Sequence, residues 1–291
     1  MSARASLWPA LALVLNALIW GTSWWPFRQL HERAGLHPLW TTAFVYLLAV
    51  AVIGGSRPAA WRELARAPSL WLIVLASGTT NATFNWGVTV GDVVRVVLLF
   101  YLMPLWAVLL ARLLLHEALT RAAVLRVAMA LAGALVVLWP QDGGPIGPLH
   151  LTDLLGLVGG FSFALNNVML RRESARSESA RALAMFLGGT VVAGALALAL
   201  GGAQGVAAPV LPSAGWLAFA AALGSLFLLS NLALQFGAAR LPANATAVIM
   251  LTEVVFASAS ALALGAGTLT PALALGGGLI LGAAALAAWQ P

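Results

Sequence analysis

The feature that most restricts this chain is a succession of long apolar runs, broken only by short stretches that carry charge, proline or glycine. A bilayer core needs roughly 20 apolar residues per helix. Ten runs approach that length, at about 7–27, 38–54, 70–90, 94–115, 122–140, 151–170, 181–200, 213–236, 243–264 and 270–289. The second and seventh are short or interrupted by glycine. All are continuous rather than alternating, which points to helices and not to the strands of a membrane barrel. The first run differs from a cleavable leader, because Trp20, Trp24 and Trp25 put bulk where a cleavage site wants small residues. Only 8% of the 291 residues are charged, whereas a soluble domain carries about a quarter. The expected class is therefore an all-α integral membrane protein.

Two missing residue types exclude whole chemistries. The chain has no cysteine, so disulfides, thiolate metal sites and cysteine nucleophiles are ruled out. It has no lysine either, since every basic residue is arginine. Without a Walker lysine the chain cannot drive transport by its own ATP hydrolysis, although it can partner an ATPase. The formal charge of +6 does not indicate nucleic acid, because the arginines sit between apolar segments rather than along one basic stripe. The four histidines are scattered and form no metal site, and no cofactor is expected.

Arginine placement also orients the chain, because cytoplasmic loops are enriched in positive charge. With the N-terminus inside, Arg4, Arg57, Arg62, Arg66, Arg112, Arg121, Arg126, Arg171, Arg172, Arg176, Arg181 and Arg240 lie on the cytoplasmic side. Only Arg28, Arg33 and Arg95 lie outside. Ten spans return the C-terminus to the cytoplasm.

The sequence also matches itself. A shift of 150 residues sets Asn81 on Asn231, Asn85 on Gln235, Trp86 on Phe236, Gly87 on Gly237 and Trp139 on Trp289. A shift of 143 sets Trp20 on Phe163, Gly21 on Ala164 and Arg28 on Arg171. The change of shift falls in the longer loop after the seventh run. Two five-helix units follow, 1–140 and 141–291. Five is odd, so the second unit is inverted in the membrane. Inverted repeats around a central cavity are the architecture of alternating-access carriers.

Leu18-Ile19-Trp20-Gly21-Thr22-Ser23 resembles the WG-small signature in the first helix of EamA-type drug/metabolite transporters. Met103-Pro104-Leu105 through Leu115-His116-Glu117-Ala118-Leu119-Thr120 resembles that family's P…LGE-x-L-T stretch. In the second half Thr252-Glu253-Val254 through Gly265-Ala266-Gly267-Thr268-Leu269-Thr270 is its counterpart, with Val254 in place of a frequent proline and Gly267 in place of the closing glutamate. The resemblance spans essentially the whole chain, and within the family its flavour is that of the aromatic amino acid exporters of bacterial inner membranes. It implies ten helices around a central cavity and export of amino acids.

Intramembrane polar residues are the first candidates for a site, since each is costly without a partner. Ser77, Asn81 and Asn85 are four apart and form one helical stripe with Phe84 beside it. Asn231 and Gln235 repeat that stripe in the second half, and Asn167 adds an amide on the sixth run. Amides both donate and accept, which suits a zwitterion. The alternative is that they bond neighbouring helices. Trp20, Tyr101 and Phe163 would line a pocket for apolar or aromatic side chains, or else pack ordinarily. Trp8, Trp61, Trp71, Trp139, Trp216 and Trp289 lie near run ends and read as interfacial anchors. Glu253 is the only acidic residue well inside a run and is either a proton-exchanging group or a structural carboxyl. Asp92 and Arg95, three apart in an external turn, are expected to pair locally or to gate the rim.

The leading expectation is a secondary carrier exporting amino acids, neutral and aromatic ones included, across a bacterial inner membrane. An exporter of drugs or nucleotide sugars is the alternative, and an intramembrane lipid-modifying enzyme a distant one, because the acidic residues are scattered rather than clustered. The expected partners are the small-molecule substrate and the bilayer, with the chain acting as a monomer. Arginine and alanine richness without lysine suits a GC-rich bacterial genome.

Overall fold

The computed structural model describes residues 3–289 apart from 115, 117–119, 140–148, 202–205, 210–213, 239, 241–248 and 251. Among the described residues there are thirteen helices and no strand. They are α1 (Ala3–Thr22), α2 (Trp24–Ala34), α3 (Pro38–Ser56), α4 (Pro58–Arg66), α5 (Pro68–Val90), α6 (Val93–Phe100), α7 (Met103–Leu114), α8 (Arg121–Leu138), α9 (Leu151–Arg172), α10 (Glu178–Leu200), α11 (Ala214–Ala238), α12 (Thr252–Ala263) and α13 (Pro271–Trp289). Each of the ten apolar runs carries at least one helix.

Local chemistry sets the boundaries. Proline opens α3, α4, α5 and α13, where its missing N–H has no intrahelical partner to lose. Asp92 caps α6 by accepting the Arg95 backbone N–H, and Ser177 caps α10 by accepting that of Ala180. Gly35 ends α2 at φ 63°, a left-handed turn that glycine adopts at little cost. The fourth run is two helices rather than one. Pro104 has no N–H to donate, so the ladder breaks at Tyr101-Leu102 between α6 and α7. The first run is likewise divided at Ser23. The short amphipathic α4, with Ala60 and Leu64 buried, is an element absent from the ten runs.

Among the described residues six stretches are long and apolar enough to cross a membrane: Leu7–Ala34, Pro38–Ser56, Val93–Leu114, Leu151–Arg172, Glu178–Leu200 and Gly215–Leu234. Val124–Val137, Thr252–Ala263 and Pro271–Ala283 are apolar but shorter. α5 is long but polar, with Ser77, Thr80, Thr83, Asn85 and Thr89 buried along it. It packs between α9 and α10.

Several of the helix pairings follow a rule of exchange, although α3 packs on α5 while α10 and α11 do not pack along each other. α5 packs on α9 as α11 packs on α1, α5 on α10 as α11 on α3, and α6 and α7 on α9 as α12 on α1. Three further pairs, α3 with α10, α8 with α13 and α6 with α12, map onto themselves. Glycine permits the closest crossings. A Cβ on Gly133 of α8 would strike the Gly276 carbonyl of α13, and one on Gly276 would strike that of Gly133. A Cβ on Gly78 of α5 would strike the Gly188 carbonyl of α10, and one on Gly188 would strike the Val74 carbonyl of α5. The pair matched by the shift of 150 sits at equivalent contacts: Gly87 of α5 faces Leu155 of α9, and Gly237 of α11 faces Leu13 of α1.

Candidate functional site

Two clusters gather most of the residues singled out by the sequence. In the first, Trp20 of α1 stacks on Phe227 of α11 with ring centroids 4.7 Å apart and planes 9° from parallel. Phe227 meets Tyr46 of α3 edge-on at 5.8 Å, and Tyr46 also contacts Phe186 of α10. The Tyr46 hydroxyl donates to Asn81 Oδ1. Asn81 Nδ2 donates to the Ser77 carbonyl at 2.7 Å, and Ser77 Oγ donates to the Met185 carbonyl at 3.1 Å. Asn85 is fully buried and gives its Nδ2 to Thr42 Oγ1 at 3.1 Å. The stripe on α5 thus makes two sets of polar contacts, Ser77 and Asn81 tying α5 to α10 and α3, and Asn85 tying it to α3 separately. Asn81 is its partly exposed member.

In the second cluster Phe100, at the end of α6, contacts Phe84 of α5 at 4.7 Å and Phe163 of α9 at 5.3 Å. The Tyr101 hydroxyl donates to Glu253 Oε2 of α12 at 3.4 Å. Glu253 keeps partial exposure, and its backbone carbonyl lies against Gly21, next to Trp20. Trp24 Nε1 donates to Ser260 Oγ at 2.9 Å, fastening α2 to α12. Trp20 and Gly21 are adjacent on α1, so they join the two clusters.

The second-half stripe is only partly brought in. Asn231 is half-buried on α11, the side chain of Gln235 lies outside the described residues, and α5 and α11 do not pack along each other. Asn167 is exposed on the α9 face that carries Phe163, while Asn166 beside it is buried. Sequence reasoning missed Tyr46, Phe100 and Phe227. A signal for Tyr46 existed: the chain has only two tyrosines, and a buried tyrosine needs a partner for its hydroxyl. Both hydroxyls bond candidate site residues, Asn81 and Glu253. Of the expected anchors, Trp8, Trp61, Trp71 and Trp139 are exposed.

At the opposite end of α2 and α5 lies an open cleft of about 580 Å³, bounded by Arg28, His31, Glu32, Asp92 and the turn at Gly265–Thr268. Arg28 donates to the carbonyls of Thr89 at 3.0 Å and Gly91 at 2.8 Å, where a helix end leaves acceptors unused. Asp92 Oδ2 accepts the Thr268 N–H at 3.1 Å. Asp92 and Arg95 pair locally only through the Arg95 backbone. The Arg95 guanidinium instead grips buried Asp153 at 2.6 and 3.1 Å, because a carboxylate presented by the first turn of α9 matches its two-pronged geometry.

With this geometry in place, the known proteins can be compared. Residues 7–139 match the EamA-like transporter family. The EamA-like stretch covers α1 to α8. An uncharacterized transporter of Pseudomonas aeruginosa is 30% identical over 167 residues, which is 54% of this chain and 55% of the relative. The chain thus spans about half the length of the curated relative it matches. A crystal structure of a protein shares the fold with a TM-score of 0.59 at 21% identity, over 99% of this chain and 97% of that one. The matched family and the relative are both transporters, and among the described residues of this chain six helical stretches are long and apolar enough to cross a membrane.

Proposed function

We propose that the chain is a secondary carrier that exports neutral amino acids, aromatic ones included, across a bacterial inner membrane by alternating access. The observation that carries this reading is the exchange rule in the helix contacts. Two units that make equivalent contacts have two equivalent ways to rock against each other, and so can expose one site to either side. On this reading residues 1–140 and 141–291 are inverted five-helix units, ten helices cross the bilayer and both termini are cytoplasmic. The substrate would meet Trp20, Phe163 and Phe84 with its side chain, and Asn81, Asn167, Asn231 and Gln235 with its charged groups. Ser77 serves this site from behind, as the hydrogen-bonded support of Asn81, while Asn85 ties α5 to Thr42 of α3. Glu253, partly exposed and bonded by Tyr101, is the group placed to exchange a proton for substrate. A single partly exposed carboxylate among aromatic rings favours a zwitterion over the nucleotide sugars of the alternative reading.

The test is flux of radiolabelled phenylalanine, tryptophan, threonine and methionine in liposomes, with and without a pH gradient. Flux above empty liposomes is expected, about tenfold lower in Asn81→Ala, the loss of roughly one substrate hydrogen bond. Glu253→Gln is expected to retain substrate exchange and lose the response to pH. No flux of any amino acid by folded, inserted protein would discard the substrate class.

A further inference from the structure

The end of the molecule away from the cleft carries a surface that the transport reading does not use. α4 runs between the ends of α3 and α5 and packs against α10. Its buried face is Ala60 and Leu64, and its outer face is Arg57, Trp61, Arg62 and Arg66, all exposed. The Trp61 indole lies against Gly54, so closely that a Cβ there would come within 3.0 Å of the ring carbons. Glu63, the acid on this helix, is already committed. Its two oxygens accept the Ser177 N–H at 3.1 Å and the Ser177 hydroxyl at 2.6 Å. Those hydrogen bonds hold its carboxyl below the usual carboxylate range and keep it ionised. They also fasten α4 to the α9–α10 turn, whose Arg171, Arg172 and Arg176 are exposed. Glu173 is taken by Arg176 at 3.3 Å. Among the described residues no carboxylate pairs with Arg57, Arg62 or Arg66.

We propose that α4 and the α9–α10 turn form a docking surface for the headgroups of anionic phospholipids. The surface has the parts that task needs. A short amphipathic helix with arginines on its polar face and a tryptophan at its border lies at the depth of headgroups. Arginine grips a phosphodiester with two parallel N–H donors. The ends of the apolar helices α3, α9 and α10 bring the surface to the edge of the bilayer. The Glu63–Ser177 clamp fixes the arginines relative to the bundle, so a lipid bound there braces α4 against α10. This inference does not depend on what the chain carries.

The test uses the full chain in phosphatidylcholine nanodiscs doped with phosphatidylglycerol, read by thermal unfolding. The wild type is expected to be stabilised in a saturable manner as the phosphatidylglycerol fraction rises. The triple variant R57Q/R62Q/R66Q is expected to need about tenfold more of it, since each arginine adds to binding at an anionic surface. It should unfold like the wild type in pure phosphatidylcholine, which shows that it folds. R33Q, at the other end of the bundle, should keep the wild-type response. An undiminished response in the triple variant would overturn the proposal. So would equal stabilisation by inorganic phosphate added to pure phosphatidylcholine nanodiscs, which would assign the surface to small anions instead.

Discussion

The first five apolar runs and the last five share several helix contacts but not the side chains at them, and at one crossing the mismatch is complementary. The shift of 143 that pairs Trp20 with Phe163 also pairs Tyr46 with Gly189. These two positions face each other where α3 crosses α10, and a Cβ on Gly189 would run into the Tyr46 ring. One half supplies a large side chain and the other the space for it. A strictly symmetric crossing would have two tyrosines in collision or two glycines around a void. The same division holds at the second cluster, where Glu253 has no acidic counterpart on α7: the shift of 150 sets it against Met103. Shared contacts thus fix the scaffold, and the differences between halves build the sites.

The largest expected effect comes from removing the side chain that makes the crossing unequal. Tyr46 is almost fully buried between Phe186 and Phe227. Tyr46→Ala is expected to cost about 3–5 kcal/mol, because Gly189 has no atoms with which to refill the cavity. Gly189→Ala should cost about 1–3 kcal/mol by overpacking the same contact. Tyr46→Phe keeps the ring and removes only the bond to Asn81, for about 1 kcal/mol. Thermal or denaturant unfolding in detergent orders the three. If the double variant Tyr46→Ala with Gly189→Ala is no more stable than Tyr46→Ala alone, the two positions do not complement each other.

Sequence pattern reached the scaffold because apolar run length and proline placement act locally, and the bilayer demands both. It placed a helix on every run and identified the α5 stripe as one face. It did not reach the hub role of Tyr46, because the partners Phe186 and Phe227 lie on two other helices; the rarity of tyrosine was the one signal the sequence held. Asn85 shows the same limit in reverse. Its polarity marked it as a site residue, yet Thr42, distant in sequence, is what it serves. The cut before Pro104 lay hidden inside a run expected as one helix, and the amphipathic α4 was not legible, since nine residues are too few to register as a run.

A smaller contrast between the halves lies in the turns that follow α7 and α12. Gly265 sits at φ 67° and His116 at φ 58°, both left-handed. The family stretch that this region resembles has glycine at position 116. An L side chain there costs about 1–2 kcal/mol. His116→Gly is therefore expected to raise stability by about 1 kcal/mol, and Gly265→Ala to lower it by a similar amount, both read as unfolding midpoints. If His116→Gly is neutral or harmful, the histidine is making contacts that outweigh its backbone, and the two turns are not equivalent in kind.

The smallest difference concerns how α3 and α10 begin. α10 is capped by Ser177, which does not titrate, whereas α3 is capped by His37, whose Nδ1 accepts the Leu39 N–H at 3.3 Å. Burial beside Trp86, and then the nearness of His31, push the His37 imidazole down to about 4. The folded state therefore takes up its proton later than the unfolded chain, whose imidazole titrates near the ordinary value of about 6.5. At neutral pH the ring is uncharged in both states and the cap is intact. As pH falls from about 6.5 towards 4 the unfolded chain binds the proton first, and stability drops. His37→Asn keeps a capping acceptor that does not titrate. Its unfolding midpoint should fall less than that of the wild type between pH 7 and pH 4. Equal acid sensitivity in wild type and His37→Asn would place the titrating group elsewhere and leave the two helix starts alike in their response to pH.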